Sequence, residues 1–180
     1  PLLWEQVTVG LVDERWVSPD DAASNERLVR SHLLVGPAGA AGLLPMWAPV
    51  DAPRDAVSDR QAAYAPHVSP ADMVLLGMGN DGHTASWFPG SKGLATALSP
   101  PEGCVIAAID ATGCPVAGSN PHRLTLTGPA VISARGALLL VFGDEKLDVL
   151  DGARTADPLH MPIRFAIDGL GDRLTIIWAP

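Results

Sequence analysis

The chain has 180 residues, of which 47% are apolar and 18% are charged, and its formal net charge is −8 at pH 7. This length suits one domain with a sizeable core, and the composition is typical of a globular chain. The acidic balance and the lack of a Lys/Arg cluster argue against a general nucleic-acid binder. No apolar run approaches the ~20 residues that span a bilayer, which argues against a membrane protein.

The cysteines and the first residues bear on the compartment. Cys104 and Cys114 fit neither a CxxC redox pair nor a zinc pattern. The opening residues, PLLWEQVTV, lack the basic region and the long apolar region of a secretory signal. We therefore expect a reduced, cytoplasmic chain.

The first half of the chain shows apolar patterns typical of alternating strands and helices. A short β-branched run predicts a strand at Val7–Val12, which is followed by the charged residues Asp13, Glu14 and Arg15. The next helix begins at a cap formed by Ser24 or Asn25. Its predicted apolar face consists of Leu28, Val29, Leu33 and Leu34. Three further elements are predicted: a strand at Leu43–Trp47, a helix at Ala56–Tyr64 and a buried strand at Met73–Leu76.

The second half continues the alternation. Strands are predicted at Val105–Ile109, Leu124–Thr127, Ala137–Phe142 and Leu174–Trp178. Helices are predicted from Pro129 through Ile132, from Gly143-Asp144 through Leu150, and at Ile163–Ile167. Near-continuous apolar strands separated by helices favour a three-layer α/β fold, with a mostly parallel, Rossmann-like sheet and helices on both faces. Because no linker or repeat divides it, we expect residues 1–180 to form a single domain.

Three polar clusters follow predicted strands. They are Asp13–Arg15, Gly79–His83 and Gly143–Lys146. Ligands of open α/β sheets bind outside the carboxyl ends of the strands, so these clusters are expected to lie around one site.

The glycine-rich turn at Gly77–His83 is the first candidate for chemistry. Its glycines allow close approach of a ligand, although the spacing is neither the dinucleotide-binding fingerprint nor a P-loop. His83 lies in this turn, where an imidazole exchanges protons near neutral pH. Asp81 either orients His83 or serves only as a turn residue.

Three cations have two interpretations each. Lys146 lies in the first turn of a helix, where a cation is unfavourable unless it is balanced by Asp144 and Glu145 or by a bound phosphate. Arg15 and Arg123 either pair with nearby carboxylates or clamp a phosphate. Other chemistries find no support, because the chain has no GxSxG elbow around Ser86 and no HExxH motif.

Several motifs together resemble the 6-phosphogluconolactonases. They are VDERWV with Ser24-Asn25, LLGMGNDGHTASWFP at Leu75–Pro89, HRLTLT at His122–Thr127, GDEK at Gly143–Lys146 and the final LTIIWAP. The GMGNDGHTAS block is also found in the related glucosamine-6-phosphate isomerases, whereas DERWV and RLTLT are similar to the lactonase branch.

This resemblance implies hydrolysis of 6-phospho-D-glucono-1,5-lactone in the pentose phosphate pathway without a metal or organic cofactor. It implies that His83 is the general acid/base and that Asp81 and Asp13 shape its surroundings. The implied substrate- and phosphate-binding residues are Arg15, Asn25, Gly79, Asn80, Gly82, Arg123 and Lys146. The expected partner is a phosphorylated sugar lactone, with no nucleic acid or membrane, and the expected state is a monomer or a weak homodimer.

Members of this family begin with a βα segment and an SGGSTP-like, glycine-rich phosphate loop, to which nothing in this chain corresponds. We therefore expect this N-terminal part to be missing from the sequence. Two alternative functions remain open. An isomerase/deaminase would need an extra carboxylate in the stretch Ala85–Pro89, which has none. A catalytically silent sugar-phosphate binding domain would bind the substrate without turnover.

Overall fold

The structure is a computed structural model that describes residues 2–180. Within these residues the strands are Thr8–Gly10 (β1), Asp13–Arg15 (β2), Gly42–Leu44 (β3), Val74–Gly77 (β4), Ile106–Asp110 (β5), His122–Leu126 (β6), Ala137–Phe142 (β7) and Leu174–Ala179 (β8). The α-helices are Asn25–His32 (α1), Pro53–Val68 (α2), Leu94–Leu98 (α3), Gly128–Ile132 (α4), Asp144–Ala153 (α5) and Ile163–Leu170 (α6).

The expected α/β class with parallel strands and flanking helices is confirmed, and the strands are grouped into three sheets across residues 2–180. Strand β7 lies between β4 and β8 in a parallel sheet, and β1 pairs with β3 in parallel. Strand β6 lies between β2 and β5 in an antiparallel sheet. The antiparallel sheet is the main addition to the architecture expected from the sequence.

The parallel sheet positions two of the polar clusters. Leu76 of β4 pairs with Leu139 of β7, so both strands end at the same edge. The glycine turn follows β4, and Gly143 leads from β7 into α5. Because parallel strands share one carboxyl edge, this arrangement brings His83 and Lys146 to the same end of the sheet.

The first polar cluster differs from its prediction. The predicted strand at Val7–Val12 is present as the shorter β1, but Asp13, Glu14 and Arg15 form a second strand, β2, paired with Arg123, Leu124 and Thr125 of β6. Their charges hide the strand from an apolar pattern, and the pairing partner is more than 100 residues away in the chain. The predicted apolar face of α1 is also wrong in part, because Leu28 and Leu33 are exposed.

The core lies between the sheets and the helices. Its largest fully buried side chains include Trp87, Phe88, Tyr64 and Leu139. The indole N–H of Trp87 donates to the carbonyl of Leu126 at 2.9 Å, so the segment after the glycine turn is fixed against β6. None of the helices described is both long and apolar enough to cross a membrane.

Candidate active site

A cleft of about 540 Å³ opens at the carboxyl end of β4 and β7. It brings together residues of all three polar clusters, as the sequence predicted. The predicted site residues that line it are Asp13, Arg15, Asn25, Gly79, His83, Arg123 and Lys146. Apolar side chains of the parallel sheet, such as Leu75 and Phe142, form another part of its wall.

His83 and Asp81 form a close pair in the turn after β4. Nδ1 of His83 lies 2.5 Å from Oδ1 of Asp81, and the same carboxylate oxygen accepts the backbone N–H of His83 at 3.2 Å. An ionised carboxylate only accepts hydrogen bonds, so Nδ1 carries the proton and Nε2 keeps its lone pair. Both side chains are about one quarter exposed, so the imidazole remains accessible from the cleft. Of the two interpretations of Asp81, the structure supports the orienting one.

The electrostatics of this pair favour an ionised Asp81. Burial alone raises the pKa of its carboxyl, but the hydrogen bonds to His83 and the charge of that ring outweigh burial. The pKa of Asp81 therefore lies below its usual value of 3.8. A carboxylate that stays ionised at neutral pH can stabilise the imidazolium that forms when His83 takes up a proton.

The glycine turn is closed by its own backbone. Gly79 donates its N–H to the carbonyl of His83 at 2.9 Å, and Gly82 donates to Gly79 at 3.0 Å. Gly79 itself has no room for a side chain, because an added Cβ would overlap the His83 ring and lie 2.8 Å from Oδ1 of Asp81. The N–H groups of Gly79, Gly82 and His83 are thus engaged within the turn, so they are not free to stabilise an oxyanion.

Two predicted substrate-binding residues lie beside the cleft rather than on its wall. Nδ2 of Asn80 lies 3.5 Å from Oε2 of Glu145, which links the turn to α5. Gly82 has a φ of +75°, and its carbonyl accepts the N–H of Ile163 at 2.9 Å. Both residues therefore hold the turn against neighbouring helices.

Asp13 connects three parts of the site. Its Oδ2 accepts the hydroxyl of Ser86 at 2.6 Å, and Nδ2 of Asn25 donates to its Oδ1 at 3.2 Å. Nη1 of Arg123 lies 3.6 Å from the same carboxylate. The residues around Ser86 predict no role for it, because they form no nucleophile motif. Ser86 instead orients Asp13, and the only signal in the sequence was its place three residues after His83.

The two arginines of the site lie opposite each other. Arg15 of β2 and Arg123 of β6 are register partners in the antiparallel sheet. Nη1 of Arg15 donates to Oδ1 of Asn25 at 2.5 Å and to the carbonyl of Ala23 at 3.0 Å. Within residues 2–180, Arg15 has no carboxylate within ion-pair distance.

The side chain of Arg123 is held by more contacts with the protein than that of Arg15. Its Nε and Nη2 donate to the carbonyls of Asn120 and Ala117 at 2.6 Å and 3.2 Å, and the guanidinium lies over the ring of Phe88 at 5.3 Å. The side chain is only 6% exposed. It lines the cleft as a buried, oriented positive charge rather than as a flexible clamp.

Lys146 lies in the first turn of α5 and lines the cleft. In the part of the chain that the structure describes, neither Asp144 nor Glu145 forms an ion pair with it. Neither acid therefore balances the charge of Lys146 through an ion pair. This positive charge remains available to an anion in the cleft.

Known proteins are similar to this chain in both sequence and fold. A family model described as glucosamine-6-phosphate isomerases/6-phosphogluconolactonase matches residues 1–176. A 6-phosphogluconolactonase of Xylella fastidiosa (strain Temecula1) is 46% identical over 179 residues, which cover 99% of this chain and 73% of that protein. One of Pseudomonas aeruginosa is 39% identical over 187 residues, which cover 100% of this chain and 73% of that protein.

Solved structures agree with the sequence comparison. The crystal structure of a 6-phosphogluconolactonase from Shewanella baltica has a TM-score of 0.90 and 35% identity, and the match covers 98% of this chain and 73% of that one. The enzyme of Trypanosoma brucei has a TM-score of 0.71 and 26% identity, over 94% of this chain and 70% of that one.

Proposed function

Since the chain belongs to the family of glucosamine-6-phosphate isomerases and 6-phosphogluconolactonases, we propose that it hydrolyses 6-phospho-D-glucono-1,5-lactone to 6-phosphogluconate, in the pentose phosphate pathway. The observation that carries the assignment to this site is the oriented His83–Asp81 pair, which shares one cleft with Arg15 and Lys146. The pair supplies a base, and the two cations supply a place for the phosphate.

The proposed chemistry uses one water molecule and one histidine. Nε2 of His83 removes a proton from water as its oxygen attacks the lactone carbonyl, and Asp81 stabilises the imidazolium. The bond between the carbonyl carbon and the ring oxygen then breaks. The imidazolium returns its proton to that ring oxygen, which becomes a hydroxyl of the open-chain acid, and His83 is neutral again.

The phosphate is held at a distance from the reacting carbonyl. Arg15 and Arg123 are cross-strand partners with like charges, and within residues 2–180 only Arg123 has a carboxylate, that of Asp13, at ion-pair distance, which leaves Arg15 to bind an anion. Lys146 adds a positive charge from the first turn of α5. Binding energy from the phosphate positions the lactone for attack, so these cations contribute to catalysis without touching the ester.

The remaining predicted residues support this arrangement. Asp13 and Asn25 face the cleft, where they offer hydrogen bonds to substrate hydroxyls, and Gly79 lets the His83 ring lie against the turn. Asn80 and Gly82 contribute by holding the turn in place.

We propose a single domain that acts in the cytoplasm as a monomer or weak homodimer, with the sugar lactone as its partner. A net charge of −8 disfavours a nucleic-acid partner.

The test is accelerated hydrolysis of freshly prepared 6-phosphogluconolactone, coupled to NADP reduction by 6-phosphogluconate dehydrogenase, with the spontaneous rate subtracted. We expect activity that falls by about 10²-fold or more in His83→Ala. His67→Ala, an exposed histidine of α2, is the matched control and should match the parent. Binding of 6-phosphogluconate without turnover would indicate a silent binding domain. Turnover of glucosamine 6-phosphate instead would indicate an isomerase/deaminase.

A further inference from the structure

Glu14 is a fully buried carboxylate that does not line the cleft. It lies in β2 between Asp13 and Arg15, which do line it. Successive side chains of a strand point to opposite faces, so Glu14 points away from the cleft, toward the start of α1.

Both oxygens of Glu14 accept two hydrogen bonds each. Oε1 accepts the backbone N–H groups of Arg15 and Asn25, each at 2.8 Å. Oε2 accepts the N–H of Glu26 at 2.8 Å and the hydroxyl of Ser24 at 3.0 Å. All four partners act as donors, so the ionised carboxylate is fully satisfied, which is the condition for burying such a charge.

Glu14 binds the backbone of two residues whose side chains line the cleft. By binding the N–H of Asn25 and of Arg15, Glu14 fixes the backbone of both. The side chain of Asn25 then bridges the cleft residues: its Oδ1 accepts from Nη1 of Arg15, and its Nδ2 donates to the backbone carbonyl of Asp13 at 2.9 Å. The orientation of the Arg15 guanidinium thus depends on where Glu14 holds the first turn of α1.

We propose that Glu14 is a positioning residue for substrate binding: it locks the first turn of α1 onto β2, so that Asn25 aims Arg15 at the phosphate. The proposal rests on the proposed function only in taking a phosphorylated compound as the ligand of the cleft. It assigns Glu14 no contact with the substrate.

Glu14→Gln is the sharpest variant, because it keeps the size of the side chain and changes one acceptor oxygen into a donor. The amide then faces N–H groups, so at least one backbone N–H of Arg15, Asn25 or Glu26 loses its acceptor. We expect KM to rise on the order of 10-fold and kcat to change less than about 3-fold. The Kd for 6-phosphogluconate, measured by calorimetry, should rise in parallel.

A double-mutant cycle with Arg15→Ala separates an effect of Glu14 on the position of Arg15 from a general loss of rigidity in the protein. If Glu14 acts through Arg15, Glu14→Gln should change the Kd by less than about 2-fold once Arg15→Ala is present. Full additivity of the two substitutions, or a Kd and KM unchanged in a folded Glu14→Gln, would overturn the proposal.

Two further variants complete the test. Asp55→Asn removes a half-exposed carboxylate at the start of α2, where Oδ2 of Asp55 accepts the N–H of Ala52 at 3.2 Å. It should lower stability and leave the Kd and KM unchanged. If Glu14→Gln does not fold, Ser24→Ala removes one donor to Glu14 and should raise the Kd about 3-fold. An unchanged Kd in that variant would contradict the proposal.

The calorimetric measurement also separates this idea from the proposed function. A chain that binds 6-phosphogluconate without hydrolysing the lactone would defeat the proposed activity and still test Glu14. A parent chain that neither hydrolyses the lactone nor binds 6-phosphogluconate would defeat both, whereas activity with no effect of Glu14→Gln would defeat only the role of Glu14.

Discussion

Oδ1 of Asp81 accepts hydrogen bonds from both the ring Nδ1–H and the backbone N–H of His83, at 2.5 Å and 3.2 Å. One carboxylate oxygen therefore fixes the position of the residue and the tautomer of its imidazole. Such a pair prepares Nε2 to accept a proton and favours the charged ring once the proton has moved.

Replacing this carboxylate tests that arrangement directly. We expect Asp81→Asn to lower kcat by about 10²-fold or more, because the amide neither carries the charge that stabilises an imidazolium nor fixes one tautomer. The measurement is kcat in the coupled assay. Asp110→Asn is the control, because Asp110 pairs with exposed Lys92 outside the cleft and should keep parental kcat. A kcat of Asp81→Asn within about 3-fold of the parent would rule out the orienting role.

The lowered pKa of Asp81 predicts a pH dependence of stability. A carboxyl whose pKa is lower in the folded state stabilises that state above the unfolded pKa, here 3.8, and loses this contribution as the pH falls through the folded pKa. At pH 5 the free energy of unfolding of the parent should exceed that of Asp81→Asn. The difference should shrink below pH 4. Urea unfolding across this range measures it, and a difference that grows toward low pH would contradict the assigned direction.

The lack of room for a side chain at Gly79 allows a second test of His83 as the base. A Cβ at this position overlaps the ring of His83, so Gly79→Ala should displace the imidazole and lower kcat by about 10²-fold, with the fold retained. Gly152→Ala in α5 is the matched control, since nothing lies within 4 Å of its added Cβ. Its kcat should equal that of the parent. The assay should be accompanied by circular dichroism, and a fully active Gly79→Ala would show that the ring position is not critical.

Lys146 is proposed to bind the phosphate, and its substitution tests this role. Lys146→Gln should lower kcat/KM by about 10- to 100-fold, because a charge-assisted hydrogen bond contributes about 1.5–3 kcal/mol. Most of the change should appear in KM. Lys92→Gln, an exposed lysine away from the cleft, should leave KM unchanged. If the two variants behave alike, Lys146 does not bind the phosphate.

The sequence by itself determined several of the local elements. The continuous apolar run Ala137–Phe142 predicted β7 with its observed bounds, and Gly143-Asp144 predicted the start of α5. His83 and Asp81 were also identified from the sequence, because they are two residues apart in one glycine-rich turn. Such features depend on neighbours in the chain, so local pattern and turn chemistry suffice to find them.

Only the tertiary structure decided how the distant parts meet. Ser86 orients Asp13 across 73 positions, and the pairing of Asp13–Arg15 with β6 spans more than 100 residues. Glu14 looked like an ordinary charge in a polar cluster, yet it is fully buried. Its burial is tolerable only because four donors from β2 and the start of α1 converge on its two oxygens, and that convergence exists only after the chain has folded.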